Sequence, residues 1–550
     1  MSRNDWYGDI VEVRLGPPGH GGFCVARHEG RVLFVRHGLP GELVRAQITE
    51  DRGGSFCRAD AVEILSASPD RIPATCPVSG PGGAGCCDFS YATPAAQRAL
   101  KATVVADQLR RIAGWEPEFV VESIPLPAGV AHGVLARTGI RPGNSSPSRI
   151  GGVATRLPSL LLSDSQPTGS PGTQANSRSG GTRGPASSPR SVSGTPGRIG
   201  AVATNLPGAL FAGTSDSGVS GAGVPGVLAA DAVAGGWRSR VRLVVDADGR
   251  AGVHRYRSTE VIADLRCPQP MAGALEGIAE RTWTPGAELV VAVDAEGMRH
   301  LVEIAPPAAD SADRRSAPGH GRDRRGRGGA AQRGDRRGGD RGSTAARRAA
   351  AHSVRAERVV DGSGRAVQYV AGRRWELSAT GFWQPHYGAA QCYSDVVAEW
   401  SDADSGALTW DLYSGVGVFA ARLADQVGAE GAVHAVEFAR TAVTEAKANL
   451  RDLPWVDSRA ERVERWIVEQ PSTAPDVVVL DPPRAGAGKE VIAALAERSP
   501  RRIVHIGCDP ASFARDVSLY QAAGYRPVHL RVFDAFPGTH HVECLAVLER

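Results

Sequence analysis

Four apolar runs in the C-terminal third of the chain each end on a residue type that carries chemistry. The first closes in a glycine turn, Asp411-Leu412-Tyr413-Ser414-Gly415-Val416-Gly417, and the second, Val433 to Val436, ends at the acid Glu437. The third, Val477 to Leu480, opens into Asp481-Pro482-Pro483-Arg484. The fourth, Ile503 to Gly507, opens into Cys508-Asp509-Pro510. Helix-like stretches lie between them, Val418 to Val427, Thr441 to Leu450 and Lys489 to Glu497. Short apolar strands alternating with helices predict a parallel, doubly wound sheet. Ligands of such sheets bind beyond the carboxyl ends of the strands, so the glycine turn, Glu437, Asp481 and Cys508 are expected to share one edge.

The N-terminal part has another rhythm. Ile10 to Leu15, Gly21 to His28, Arg31 to Val35, Leu43 to Glu50 and Cys57 to Ile64 are short runs separated by Gly and Pro, a pattern that predicts a small OB-like β-barrel. Arg27, Arg31, Arg36, His37 and Arg45 are its candidate phosphate contacts. Further on, Trp237 to Val302 is again globular, and from Arg238 to Val245 basic and apolar residues alternate to give a strand one charged face.

Two stretches lack such patterning. From about Pro142 to Gly236 the chain is rich in Gly, Ser, Pro and Thr, with too little apolar surface to offset the entropy of ordering. Arg149 to Pro158 recurs there as Arg198 to Pro207, one duplication, which is too few for a solenoid. The second stretch, Asp313 to Arg348, holds twelve Arg and four Asp with no Lys or Glu. That surplus of positive charge exceeds the +4 of the whole chain, so the remainder is net acidic and the basic character sits in one arm. Flexible Arg-Gly arms bind RNA through phosphate and stacking contacts.

The expected organisation is therefore a β-barrel at 1–66, a central α+β domain from 67–141 and 237–305, a disordered insertion at 142–236, a disordered Arg/Gly-rich arm at 306–352, and an α/β Rossmann-like domain at 353–550. No apolar run is long enough to span a membrane. Nine cysteines in 550 residues, with no secretory segment, suit a reducing cytoplasm rather than a disulfide scaffold. No obligate protein partner is evident.

The chemistry of the shared edge narrows the cofactor. The turn is not the Gly-x-Gly-x-x-Gly that cradles a pyrophosphate. S-adenosylmethionine carries no phosphate, so its glycines need only admit the methionine and sugar, and Glu437, one strand later, can accept both ribose hydroxyls. With Cys508 in register, the edge reads as a methyl-transfer site with a cysteine nucleophile.

From about Trp375 to Arg550 the chain resembles the RNA uracil-5-methyltransferase family. The match is carried by Gly381-Phe382-Trp383-Gln384-Pro385, Asp411 to Gly417, Glu437, Asp481-Pro482-Pro483-Arg484, Cys508-Asp509-Pro510 and His541-Val542-Glu543, in the family's order. The resemblance implies that Gln384, Tyr413, Glu437 and Asp481 contact S-adenosylmethionine, that Cys508 is the nucleophile and Glu543 the general base, and that Phe382 lies near the target base. The bland alternatives are a buried strand-end cysteine and a surface carboxylate on an edge strand. Cys392 and Cys544 read as core residues.

The turns Gly19-His20-Gly21-Gly22 and Leu39-Pro40-Gly41-Glu42 resemble those of a TRAM domain. A barrel in front of the catalytic domain is similar to the 23S rRNA members of the family, whereas the tRNA members usually lack it. The implied activity is methylation of carbon 5 of uridine in RNA, with rRNA as substrate. A tRNA enzyme and a catalytically silent RNA-binding or assembly protein are the alternatives, along with a methyltransferase for base amino groups or proteins, which would need no thiol.

Cys76, Cys86, Cys87 and Cys267 fall where relatives carry four ligands of a 4Fe-4S cluster. Here Ala84 stands at the expected middle cysteine and an adjacent pair, Cys86-Cys87, replaces it. Neighbours on an extended chain point to opposite faces, and a cluster needs about four thiolates. The expectation is thus a weak cluster or none, with zinc or reduced thiols competing, unless Gly82, Gly83 and Gly85 permit a sharp turn.

Overall fold

The computed structural model describes residues 5–125, 235–307, 355–470 and 474–550. The whole Asp313–Arg348 run and nearly all of 142–236 lie outside the described residues. Among the described residues, no helix is long and apolar enough to cross a membrane.

The N-terminal runs form β1 (Ile10–Arg14), β2 (Pro18–Gly19), β3 (Phe23–His28), β4 (Arg31–Arg36), β5 (Leu43–Asp51) and β6 (Phe56–Ser66), in one sheet of order β1-β5-β6-β4-β3-β2. Alternation does the sorting. Along β5, Val44, Ala46 and Ile48 are buried while Arg45 and Gln47 face outward. These three join Val13, Leu33, Val35 and Ala59 in a core of their own. Of the candidate phosphate contacts, Arg27 is exposed and Arg45 pairs with Glu63 at the surface. Arg31 is instead locked to Asp51 at 2.6 Å. Arg36 is buried against Asp88, and His37 is buried, which pushes its imidazole down to about 4. A buried cation that is already paired has no free face to offer a phosphate.

Helix α1 (Pro94–Gln108) starts where Thr93 accepts the Ala96 amide and Pro94 presets the first turn. It leads to β7 (Val121–Ser123). Both pack on the C-terminal domain: β7 pairs in parallel with Val532 to Asp534, and Lys101 of α1, fully buried, pairs with Asp534. The central sheet comprises β8 (Arg240–Val245), β9 (Ala251–His254), β10 (Val261–Ile262), β11 (Glu288–Val293), β12 (Arg299–Ile304) and β13 (Glu357–Asp361), in the order β10-β9-β8-β11-β12-β13. Its last strand thus comes from beyond the arm. The charged face of β8 is engaged by protein, because Arg240 donates to the Gly381 carbonyl and Arg242 pairs with Glu288 at 2.6 Å.

A hairpin of β14 (Arg365–Val370) and β15 (Arg373–Ser378) turns through Ala371 and Gly372, both at positive φ, as a two-residue hairpin turn requires. Next come α2 (Ala389–Ser401), β16 (Leu408–Leu412), α3 (Val418–Val427), β17 (Ala432–Glu437), α4 (Arg440–Asn449), β18 (Val456–Ala460), α5 (Val463–Glu469), β19 (Val477–Leu480), α6 (Gly488–Arg498), β20 (Arg502–Gly507), α7 (Pro510–Ala522), β21 (Arg526–Asp534) and β22 (Glu543–Glu549). The sheet order is β18-β17-β16-β19-β20-β22-β21-β7. Strands β16 to β20 are parallel, while β22 runs antiparallel to both of its neighbours, β20 and β21. All four residues of β19 are fully buried, as expected of a parallel strand covered on both faces. Winding reverses between β16 and β19, and that reversal opens a crevice at the strand ends.

Candidate active site

The crevice gathers the expected cofactor residues. Tyr413 follows β16 at φ 63°, a left-handed conformation unusual for a bulky residue and one that costs roughly 1–3 kcal/mol. Such strain persists where packing over-determines it, commonly at ligand sites. Glu437, at the end of β17, accepts from the Gly415 amide at 3.2 Å and the Ala439 amide at 2.7 Å, so the acid also sets the shape of the glycine turn. Gln384 donates to Asp481 at 3.3 Å. Burial pushes Asp481 up to about 7. Beneath the turn, Asp411 accepts the Ala420 amide at 2.8 Å, while its second oxygen is buried with no partner among the described residues. Burial raises its carboxyl to about 8. An orphaned carboxyl oxygen, a strained tyrosine and an acid at the end of the neighbouring strand form a cradle that fits S-adenosylmethionine.

The second half of the site follows from strand register. Gly507 pairs with Cys544 across β20 and β22. Cys508, one residue beyond β20, therefore stands at the end of the sheet beside Glu543, the first residue of β22. Glu543 is only 2% exposed, because β21 and β7 continue the sheet past β22 and place it inside. Burial, then the nearby Asp481, raise its carboxyl well above the ordinary range, while Arg484 pulls the other way. Cys508 is half-buried; burial pushes its thiol up to about 12, Glu543 and Asp481 add to the shift, and Arg484 opposes it. Burial thus keeps the resting thiol neutral and disfavours the Glu543 carboxylate, with Arg484 as the cation that would favour both anions. The Tyr393 hydroxyl, fully buried and under the influence of Glu543 and Cys508, has no partner among the described residues. Phe382 lies on the strand-free segment after β15 with 68% of its surface exposed, free to stack on a base. Cys544 is fully buried and Cys392 partly so.

Residues that sequence reasoning did not assign also reach this site. A narrow cleft of about 20 Å³ over Cys508 is lined by His20, Lys101, Asp509 and His541. Asp509 accepts the Ser512 amide at 2.8 Å and so caps α7. Asp followed by Pro is a helix-start signal, legible in the sequence beside its reading as a strand end. Nothing local marks Lys101, whose partner Asp534 lies hundreds of residues away.

The four cysteines converge. Cys87 is within hydrogen-bond reach of Cys76, Cys86 and Cys267, and the Gln269 amide donates to its sulfur at 3.1 Å. The sharp turn exists: Gly82 and Gly85 take positive φ, and a Cβ at Gly83 would sit 2.1 Å from the Val78 carbonyl. Hydrogen bonds from Cys76 and Cys87 lower the Cys267 thiol. Cys87 is central to the group. Among the described residues, no group of three or more His, Cys, Asp or Glu is arranged to hold a metal ion. The four thiols have the donor chemistry of a cluster site.

Comparison with known proteins agrees with this architecture. The TRAM domain family model matches residues 7–62, and that of tRNA (Uracil-5-)-methyltransferase matches residues 466–550. A protein of Streptomyces avermitilis named as an RNA methyltransferase is 34% identical over 98% of this chain and 98% of its own. One from Streptomyces coelicolor is 35% identical over 98% and 93%. Another, from Corynebacterium glutamicum, is 32% identical over 99% and 97%. Among solved structures, the Pyrococcus abyssi tRNA (uracil-54, C5)-methyltransferase in complex with S-adenosyl-L-homocysteine is similar in fold, with a TM-score of 0.53 at 16% identity over 98% of this chain and 100% of that one.

Proposed function

The chain belongs to the S-adenosylmethionine-dependent RNA uracil-5-methyltransferase family, and on that premise we propose that it methylates carbon 5 of a uridine in 23S rRNA, in the cytoplasm, through a covalent Cys508 adduct. The observation that carries the mechanism is the β20–β22 register, which sets Cys508 beside the buried Glu543 at the sheet edge that also holds Tyr413, Glu437 and Asp481.

Carbon 5 of uracil is a poor nucleophile. Attack of the Cys508 thiolate on carbon 6 makes an enolate with carbanion character at carbon 5. S-adenosylmethionine, when bound, supplies the electrophilic methyl group. Glu543 then takes the carbon-5 proton, and β-elimination frees Cys508. Arg484 stabilises the thiolate that burial disfavours, and Phe382 stacks near the target base. The N-terminal barrel supports rRNA as substrate. A second reading, tRNA, is favoured by the name of the family that matches residues 466–550. Mapping 5-methyluridine in rRNA and tRNA from cells with and without the gene separates the two: a mark lost from tRNA alone would overturn the rRNA reading.

Two expected results follow. Glu437→Ala should weaken S-adenosylmethionine binding about ten- to a hundredfold by calorimetry, since it removes charged hydrogen bonds worth roughly 1.5–3 kcal/mol and loosens the Gly415 turn. Unchanged affinity would take Glu437 out of the ribose contact. Deleting 313–348, which lies outside the described residues, should leave melting temperature and chemistry intact, weaken RNA binding, and flatten the dependence of log affinity on log salt, because phosphate contacts set that slope. An unchanged slope would make the arm a linker.

A further inference from the structure

One wall of the Cys508 cleft comes from outside the catalytic domain. Residues Gly19 to Gly22, the turn between β2 and β3 of the barrel, line it together with Lys101 and Val104 of α1. From that turn the His20 Nε2–H donates to Asp509 Oδ2 at 2.8 Å. The other Asp509 oxygen is committed to the Ser512 amide at the start of α7. One carboxylate, adjacent in sequence to Cys508, is therefore held from two sides, by its own helix and by the barrel. The turn sits flush on its neighbours. Gly22 has φ +78°, and a Cβ there would lie 3.0 Å from the Asp88 side chain and 3.1 Å from His540 Nδ1, so a larger residue would be strained and would crowd both. Asp88 in turn pairs with Arg36 of β4 and with His540, which seats the barrel against the loop leading to Glu543. The bond to Asp509 raises the His20 imidazole despite its burial. Burial works against the Asp509 charge, yet its hydrogen bonds from His20 and Ser512 hold it down at about 2. Both ends of the contact favour an imidazolium–carboxylate pair.

We propose that His20 is a positioning residue for the nucleophile: by fixing Asp509 from the barrel, it holds the Cys508-Asp509-Pro510 turn in the orientation for attack, so that the barrel completes the active site as well as carrying RNA. This rests on Cys508 being the nucleophile. Misplacing a reacting group by about 1 Å can cost on the order of a hundredfold in rate, whereas the residues assigned to the cofactor lie before α2 and at the ends of β16, β17 and β19 and are untouched.

The test uses the full chain, S-adenosylmethionine with a labelled methyl group, and total RNA from cells lacking the gene. His20→Ala should slow methyl transfer at saturating cofactor and RNA about ten- to a hundredfold, with the KM for S-adenosylmethionine and the melting temperature unchanged. His20→Gln, which keeps an N–H donor, should recover most of that rate. Asp509→Asn keeps a competent helix cap and should match His20→Ala, and the double variant should be no slower than the slower single one, as expected for two residues acting through one contact. A wild-type rate in His20→Ala, or additive losses in the double variant, would overturn the proposal. Cys508→Ser, run beside them, separates the two readings. If it is inactive while His20→Ala is fully active, the positioning role alone fails; if it is active, the covalent reading beneath it fails.

Discussion

Cys508→Ser should abolish methyl transfer, by at least about three orders of magnitude, while S-adenosylmethionine still binds with wild-type affinity. The expected cofactor contacts are Gln384, Tyr413, Glu437 and Asp481, before α2 and at the ends of β16, β17 and β19, whereas Cys508 follows β20. The side chain that is changed therefore touches the chemistry and leaves the cradle alone. Burial already pushes the Cys508 thiol up to about 12, so in the resting site even the thiol is neutral. A serine hydroxyl, far less acidic and less nucleophilic, gains too little from Arg484 to compensate. Methyl incorporation into RNA and calorimetric titration of the cofactor check the two halves. Turnover above a tenth of wild type would end the case for covalent catalysis by Cys508.

The contrast between what could and could not be read from sequence has a physical origin. Helix α3 has the bounds expected from its apolar spacing, Val418–Val427, and α4 and α6 differ from expectation by one residue at each end. Parallel strands buried on both faces are continuous apolar runs, and the residue that ends each run falls at the sheet edge by topology alone. That is why the glycine turn, Glu437, Asp481 and Cys508 could be placed together in advance. The strands that needed partners far along the chain were not legible. Val121–Ser123 is three residues long and finds its mate at Val532 to Asp534; Glu357–Asp361 joins the central sheet from beyond the arm. Neither run carries a local signal stronger than its neighbours. The same gap hid the setting of Glu543, since an edge strand and an interior strand read alike until β21 and β7 are seen to continue the sheet. Arg36 and His37 had the composition of an RNA-facing surface but lie inward, because Asp88, the partner of Arg36, is supplied by the cysteine segment. His20 showed as a turn residue, and its role needs the contact with Asp509, far along the chain.

Glu543→Gln should permit methylation to begin and then stall it. The amide has nearly the volume of the acid, so a residue 2% exposed can be replaced without opening a cavity. Removing the carboxyl also removes one of the groups that raise the Cys508 thiol, so attack on carbon 6 is preserved or eased. What the amide cannot do is take the carbon-5 proton. General-base loss costs about a hundredfold or more, and the methylated adduct, unable to eliminate, should accumulate as a protein–RNA species that survives a denaturing gel. The pH dependence carries a sign. Burial and Asp481 raise the Glu543 carboxyl, so its base form is depleted as pH falls. Wild-type adduct release should therefore slow on the acid side, whereas release from the Gln variant should be slow and nearly flat with pH. Normal turnover with no trapped species would remove Glu543 from the mechanism. A trapped species whose release still follows the wild-type pH profile would assign the proton to another group, and Asp481, itself pushed up to about 7, is the next carboxylate along the same edge.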